Sequence, residues 1–286
     1  MAEAWRELYP FRSHFLDVHG HALHYVDEGA GAPMLLVHGN PTWSFYWREM
    51  VKQFSTSMRV VAPDHIGCGL SDKPQDWSYR LADHIANLEH LVLSLDLHDI
   101  TLGVHDWGGA IGMGVAVRHP ERFRRFVVFN TAAFRAPTIP LRIAACRIPG
   151  VGAFAVRGLN GFAGAATVMA TEHGLKGAIK QGYLAPYDSW ANRVAVHRFV
   201  QDIPMQAGHP SWDTLAAIEA GLPSLVGKPM TLIWGERDWC FTPAFRAEWQ
   251  RRFPAAEVHP LADAGHYVVE DASDRVVGLV RDFLAR

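Results

Sequence analysis

Short apolar runs recur along the chain with helical patterns between them. Phe15-Leu16-Asp17-Val18 and Ala22-Leu23-His24-Tyr25-Val26 flank a turn at Gly20. They predict a β-hairpin. Met34 to Val37, Arg59 to Ala62, Phe126 to Phe129 and Met230 to Trp234 are short and apolar almost throughout. Such runs suit strands of a parallel sheet covered on both faces. Ile100 to Val104 and Glu257 to Leu261 add two more strands. Leu81, Ile85, Leu88, Leu91, Val92 and Leu95 fall on one helical stripe. Asp271 to Leu284 predicts a closing helix with Val276, Val277, Val280 and Phe283 inward. This alternation predicts an α/β fold with a mostly parallel, doubly wound sheet.

The rhythm breaks between residues 133 and 210, where the chain is rich in Gly, Ala and Pro and has no clear strand. The expectation is a core of residues 1–132 and 211–286, with a helical cap at 133–210 inserted after the sixth strand. Such a cap lies over the C-terminal strand ends, where ligands of these sheets bind. From Ala133 to Thr171 there is no acidic residue, but there are Arg135, Arg142, Arg147 and Arg157. These read first as arginines reaching to water from a helical lid. A basic face for an acyl chain or a partner protein is the sharper alternative.

Composition narrows the class. Of 286 residues, 49% are hydrophobic and 20% charged, with a net charge of −2. This is a globular chain with no electrostatic footprint for nucleic acid. No apolar run is long enough for a transmembrane segment. The N-terminus lacks the apolar region of a signal peptide, so a cytoplasmic location is expected. Three widely spaced cysteines, Cys68, Cys146 and Cys240, fit free thiols in a reducing compartment. His19, His21 and His24 cluster, but in a hairpin expected to be solvated. Neither a metal nor a cofactor is expected.

The chemistry centres on Gly103-Val104-His105-Asp106-Trp107-Gly108-Gly109. A strand, a sharp turn and a small-residue helix form the layout of a nucleophile elbow, with Asp in place of Ser. A serine attacking a saturated carbon would leave an inert ether. A carboxylate leaves an ester that water can hydrolyse. The alternative for Asp106 is an ordinary helix N-cap. His266, in a loop before the last helix, is the candidate base. Asp238, after the seventh strand, is the candidate acid that orients it. Glu236 and Asp263 are rivals. Backbone N–H groups of Asn40 and Trp107 suit an oxyanion hole. The Asn40 amide and the Trp107 indole are further donors for a halide or a leaving oxygen.

These motifs resemble the haloalkane dehalogenase family of α/β-hydrolases. His38-Gly39-Asn40-Pro41-Thr42-Trp43-Ser44, Pro63-Asp64-His65-Ile66-Gly67, the Asp106 elbow, Gly235 to Asp238 and Asp263 to His266 carry the likeness. The resemblance implies Asp106 as nucleophile, His266 as base, Asp238 as acid and Asn40 with Trp107 as the halide-binding pair. Asn130, rather than Glu, follows the sixth strand, which fits the branch with its acid after a later strand. Three further segments, Asn130 to Phe134, Ala185 to Arg193 and Arg198 to Pro204, resemble the β-lactone decarboxylases of bacterial long-chain olefin synthesis. That likeness implies conversion of a cis-3,4-dialkyl β-lactone to a cis-alkene and carbon dioxide. It also implies a hydrophobic substrate and assembly with other enzymes of that pathway. Hydrolytic dehalogenation is the runner-up. Epoxide hydrolysis, with Tyr183 and Tyr187 as lid acids, is third. A receptor that uses the fold without catalysis is fourth.

Overall fold

The computed structural model describes residues 4–286. Its eight strands are β1 (Ser13–Val18), β2 (His21–Glu28), β3 (Pro33–Val37), β4 (Arg59–Pro63), β5 (Ile100–Asp106), β6 (Phe123–Thr131), β7 (Met230–Gly235) and β8 (Glu257–Leu261). They form one sheet in the order β1-β2-β4-β3-β5-β6-β7-β8. Only the β1/β2 and β2/β4 pairs are antiparallel.

The apolar runs become central strands because each feeds two cores. Successive side chains of a strand point to opposite faces. Leu35 and Val37 of β3 join one cluster, with helices α2 (Leu81–Ser94) and α3 (Trp107–Arg118). Met34 and Leu36 join the other, with α1 (Arg48–Phe54). Gly109 lets α3 lie against β6, since a Cβ there would collide with Thr131.

Between β6 and β7 the chain is helical. It runs through α4 (Leu141–Ala145), α5 (Val151–Ala153), a π-helical turn at Phe154–Gly158, α6 (Gly161–Met169), α7 (Gly177–Leu184), α8 (Val194–Gln201) and α9 (Trp212–Gly221). Its arginines are engaged rather than simply solvated. Arg135 pairs with Glu219 at 2.7 Å, Arg147 donates to the Ile203 carbonyl at 2.7 Å, and Arg142 and Arg157 lie over Trp239 and Trp190.

After β7 come α10 (Pro243–Arg252), β8, α11 (Val268–Asp271) and α12 (Ser273–Leu284). The predicted closing helix is α12, which begins at Ser273 rather than Asp271 and buries Val276, Val277, Val280 and Phe283; Asp271 ends α11 across a break at Ala272. Asp271 accepts hydrogen bonds from the Gly265 and Glu172 amides at 2.7 and 3.0 Å. Its carboxylate secures the preceding loop instead of solvating a continuous helix. The hairpin also departs from expectation. His19 is exposed, but His24 is fully buried, 2.8 Å from Asp64 and 3.0 Å from the Ser13 hydroxyl. β2 is not an edge strand, and its pairing with β4 brings His24 to Asp64.

A buried clasp joins α7 to the body. Arg48 forms a two-point ion pair with Glu270 of α11, and the Tyr183 hydroxyl donates to the same carboxylate at 2.6 Å. Removing one partner of such a pair strands the other charge in a poorly hydrated site. Glu270→Ala is expected to lower the unfolding free energy by about 3–5 kcal/mol, and Tyr183→Phe by about 1.5–3 kcal/mol. Equilibrium urea unfolding measures both.

Candidate active site

β5 ends in Asp106, whose backbone sits at φ +52°, ψ −126°. Non-glycine residues rarely adopt this region. The next residue, Trp107, opens α3, so the turn thrusts the Asp106 side chain above the strand ends. Across from it, the loop after β3 runs His38-Gly39-Asn40. The Asn40 amide donates to Asp106 Oδ1 at 2.6 Å. The Trp107 amide donates to the same carboxylate. Gly39 is needed for this approach, because a Cβ there would collide with the carboxylate.

His266 approaches from the loop after β8, with Nε2 3.7 Å from Asp106 Oδ2. This is an electrostatic contact rather than a hydrogen bond. Its Nδ1 donates to Asp238 Oδ2 at 2.8 Å, leaving Nε2 as the bare nitrogen of the neutral ring. Asp238 lies just past β7 and is buried. Its Oδ1 accepts from the Cys240 amide at 2.6 Å and its Oδ2 from the Asn130 side chain at 3.0 Å. The rivals are committed elsewhere. Glu236 pairs with Arg246 and Asp263 with Arg275.

Burial raises the Asp106 carboxyl above its ordinary value, against the opposing pull of His266 and the two amides. Burial also disfavours charge on His266, but the carboxylates of Asp238 and Asp106 override it and raise its pKa. The site thus holds an imidazole that readily accepts a proton between two carboxylates.

The five sequence-predicted residues, Asp106, His266, Asp238, Asn40 and Trp107, converge at one place. Asn40 does more than expected. Its Nδ2 donates to the Val196 carbonyl of α8 at 3.1 Å, while its Oδ1 is buried without a partner. One amide hydrogen remains for a ligand. Two supporting residues escaped the sequence reading. Asn130 bridges β6 and β7, accepting from the Gly235 amide at 2.8 Å while donating to Asp238. In the sequence it registered only as a missing Glu. His105 donates from Nε2 to the His266 carbonyl at 2.9 Å and stacks on Tyr46. Burial, chiefly, holds His105 well below the ordinary histidine value, so it stays neutral.

Two largely apolar cavities open over Asp106. One is about 140 Å³ and includes Trp107, Phe134, Val200 and Leu215; the other is about 300 Å³ and includes Ala166, Met169, His266 and Tyr267.

A mostly parallel sheet, a strained aspartate at the end of β5 and a histidine after the last strand define a hydrolase-type α/β enzyme. The chain belongs to the alpha/beta hydrolase fold family, whose model matches residues 32–273. It is 44% identical to a cis-3-alkyl-4-alkyloxetan-2-one decarboxylase of Shewanella oneidensis, over 97% of this chain and 89% of that one. It is 40% identical to a protein of the same description in Xanthomonas campestris, over 97% of each chain. Among solved structures, haloalkane dehalogenase DatA from Agrobacterium tumefaciens superimposes with a TM-score of 0.87 at 27% identity, covering 96% of each chain.

The backbone at Asp106 gives a direct stability test. Asp106→Gly removes the Cβ that makes this conformation costly; Asp106→Ala keeps it. The glycine variant is expected to be the more stable by about 1–3 kcal/mol, read from chemical denaturation of the two side by side.

Proposed function

We propose that this chain is a β-lactone decarboxylase that converts cis-3,4-dialkyl β-lactones to cis-alkenes and carbon dioxide, with Asp106 as nucleophile. The observation that carries this reading is the state of the Asp106 carboxylate. Oδ1 is occupied by the Asn40 amide, whereas Oδ2 faces His266 beneath apolar cavities. The identity to two oxetan-2-one decarboxylases supports the substrate class.

Oδ2 attacks the ring carbon bonded to the ring oxygen, and that C–O bond breaks, leaving an Asp106 ester beside a free carboxylate. The oxygen that gains charge is met by the second Asn40 amide hydrogen and the Trp107 indole N–H. The C–C bond to that carboxylate then breaks, its electron pair forms the alkene, carbon dioxide leaves, and the C–Oδ2 bond breaks to return the Asp106 carboxylate. On a haloalkane, where an alkyl ester remains on Asp106, His266 takes a proton from water, and that water attacks the Asp106 carbonyl. The charge then developing on Oδ1 falls where the Asn40 amide already points. Asp238 keeps the His266 tautomer and stabilises its cation. Asn130 and His105 act as positioning residues, holding Asp238 and the His266 backbone.

Residues 133–210 form the cap in this proposal. Assembly with other enzymes of the pathway is part of it, supported by the exposed Leu141, Val151, Phe154 and Leu159. Haloalkane hydrolysis through the same residues is a second reading, favoured by Oδ2 facing His266 and by the likeness to DatA. Epoxide hydrolysis loses support because the Tyr183 hydroxyl donates to Glu270 and that of Tyr187 to the Thr42 carbonyl. A non-catalytic receptor would have no use for a strained, buried carboxylate.

Purified protein supplied with a cis-3,4-dialkyl β-lactone is expected to release cis-alkene and carbon dioxide, and Asp106→Ala to release neither. Absence of both products with the unaltered protein would refute the decarboxylase reading. With 1-bromohexane, His266→Gln is expected to accumulate a hexyl adduct on Asp106, seen by intact-protein mass spectrometry.

The base must be neutral to accept a proton, so turnover through the ester rises with pH. Because the folded-state pKa of His266 lies above the ordinary 6.5, the midpoint of kcat for 1-bromohexane hydrolysis is expected above that value. Asp238→Asn removes the strongest raising influence and shifts the midpoint downward, at reduced kcat.

A further inference from the structure

We propose that the two cavities are separate receptors for the two alkyl arms of one substrate, with the reacting ring held where they meet over Asp106. This rests on the β-lactone reading and specifies how that substrate lies.

Asn40, Asp106, Ile143, Phe162 and Cys240 line both cavities. Asn40, Asp106 and Cys240 rise from the core, whereas Ile143 and Phe162 descend from α4 and α6 of the cap. Core residues therefore form the floor of the junction and cap residues the wall above it. In a cis-3,4-disubstituted β-lactone both arms leave the same face of the ring. With the other face on Asp106, both arms point toward the cap and part around Ile143 and Phe162.

A one-armed substrate leaves this geometry unexplained. A primary haloalkane fills one chamber and leaves the other an apolar void beside the nucleophile. A reacting centre with a chain on each side fills both. The chambers are unequal, at about 140 and 300 Å³. An apolar cavity of roughly 150 Å³ holds a benzene-sized group, so the first chamber suits the shorter arm and the second the longer. The lining of the larger chamber fits this assignment. Gly161, Ala165, Ala166 and Ala170 contribute small side chains to it, beside Met169, Trp239 and Tyr267. A long chain can lie against the small side chains.

The test uses two racemic lactones, cis-3-octyl-4-methyl- and cis-3-methyl-4-octyl-oxetan-2-one. Both yield the same cis-undec-2-ene, so one chromatographic assay reads both. Ala166→Phe narrows the larger chamber and Ile139→Trp the smaller. Leu215→Trp and Ala165→Phe serve as second variants should either fail to fold by circular dichroism. The ratio of kcat/KM for the two isomers is expected to move in opposite directions in the two classes of variant, each by about tenfold or more. Alkene formation with a ratio that neither class moves, or that both move alike, overturns the fork alone. Unaltered protein that forms no alkene from either lactone overturns the β-lactone reading, and the fork with it.

Discussion

The hydrogen bond from the Asn40 amide to the Asp106 carboxylate is the constraint around which the molecule is arranged. It joins the loop after β3 to the turn after β5 at 2.6 Å, in a site nearly closed to water. A buried carboxylate is stable only where donors and charges stand in for lost hydration. Here those are two amides and an imidazole. For the amides to reach it, the backbone of Asp106 adopts a conformation that an Asp ordinarily avoids, and Gly39 gives up its side chain. The same contact engages Oδ1 of Asp106, while Oδ2 lies 3.7 Å from His266 Nε2.

The second layer of polar contacts is as deliberate. His266 is held by Asp238 through its ring and by His105 through its carbonyl. Asp238 is held in turn by Asn130 and the Cys240 amide. Four strand ends, those of β5, β6, β7 and β8, thereby hold one imidazole. Preorganisation of this kind lowers the reorganisation needed as charge develops.

The strands and the convergence of the five site residues were legible in the sequence, for one physical reason. A strand buried on both faces must be apolar along its length. The residues just past its C-terminal end then stand out as the polar groups that face the ligand side of the sheet. Asp106, Asp238 and Asn40 all occupy such positions. What was not legible depends on pairings remote in the chain. Nothing near Arg48 points to Glu270 or Tyr183. His24 looked solvated because its partner Asp64 lies forty residues on, just past the end of β4. The break at Ala272 follows from the use of Asp271 to hold the Gly265 amide. Asn130 was visible, but its role follows from its neighbour β7, which no local pattern names.

The clasp of Arg48, Glu270 and Tyr183 has a consequence for how the roof yields. On that side the insertion is bolted down, with Trp43 donating to the Gly182 carbonyl at 3.0 Å and Asn40 to Val196. The stretch from Leu141 to Leu159 is fastened differently. It leaves Leu141, Ile148, Val151 and Phe154 in water, and the Arg157 side chain bonds at the exposed surface. Local stability is lowest where buried contacts are fewest. The two halves of the roof are thus fastened to different degrees, and the less fastened half carries Ile143, which lines both cavities with Asp106. On the proposed function, entry and escape of an oily molecule follow fluctuations of that half, while the bolted half keeps Asp106 and its partners in register.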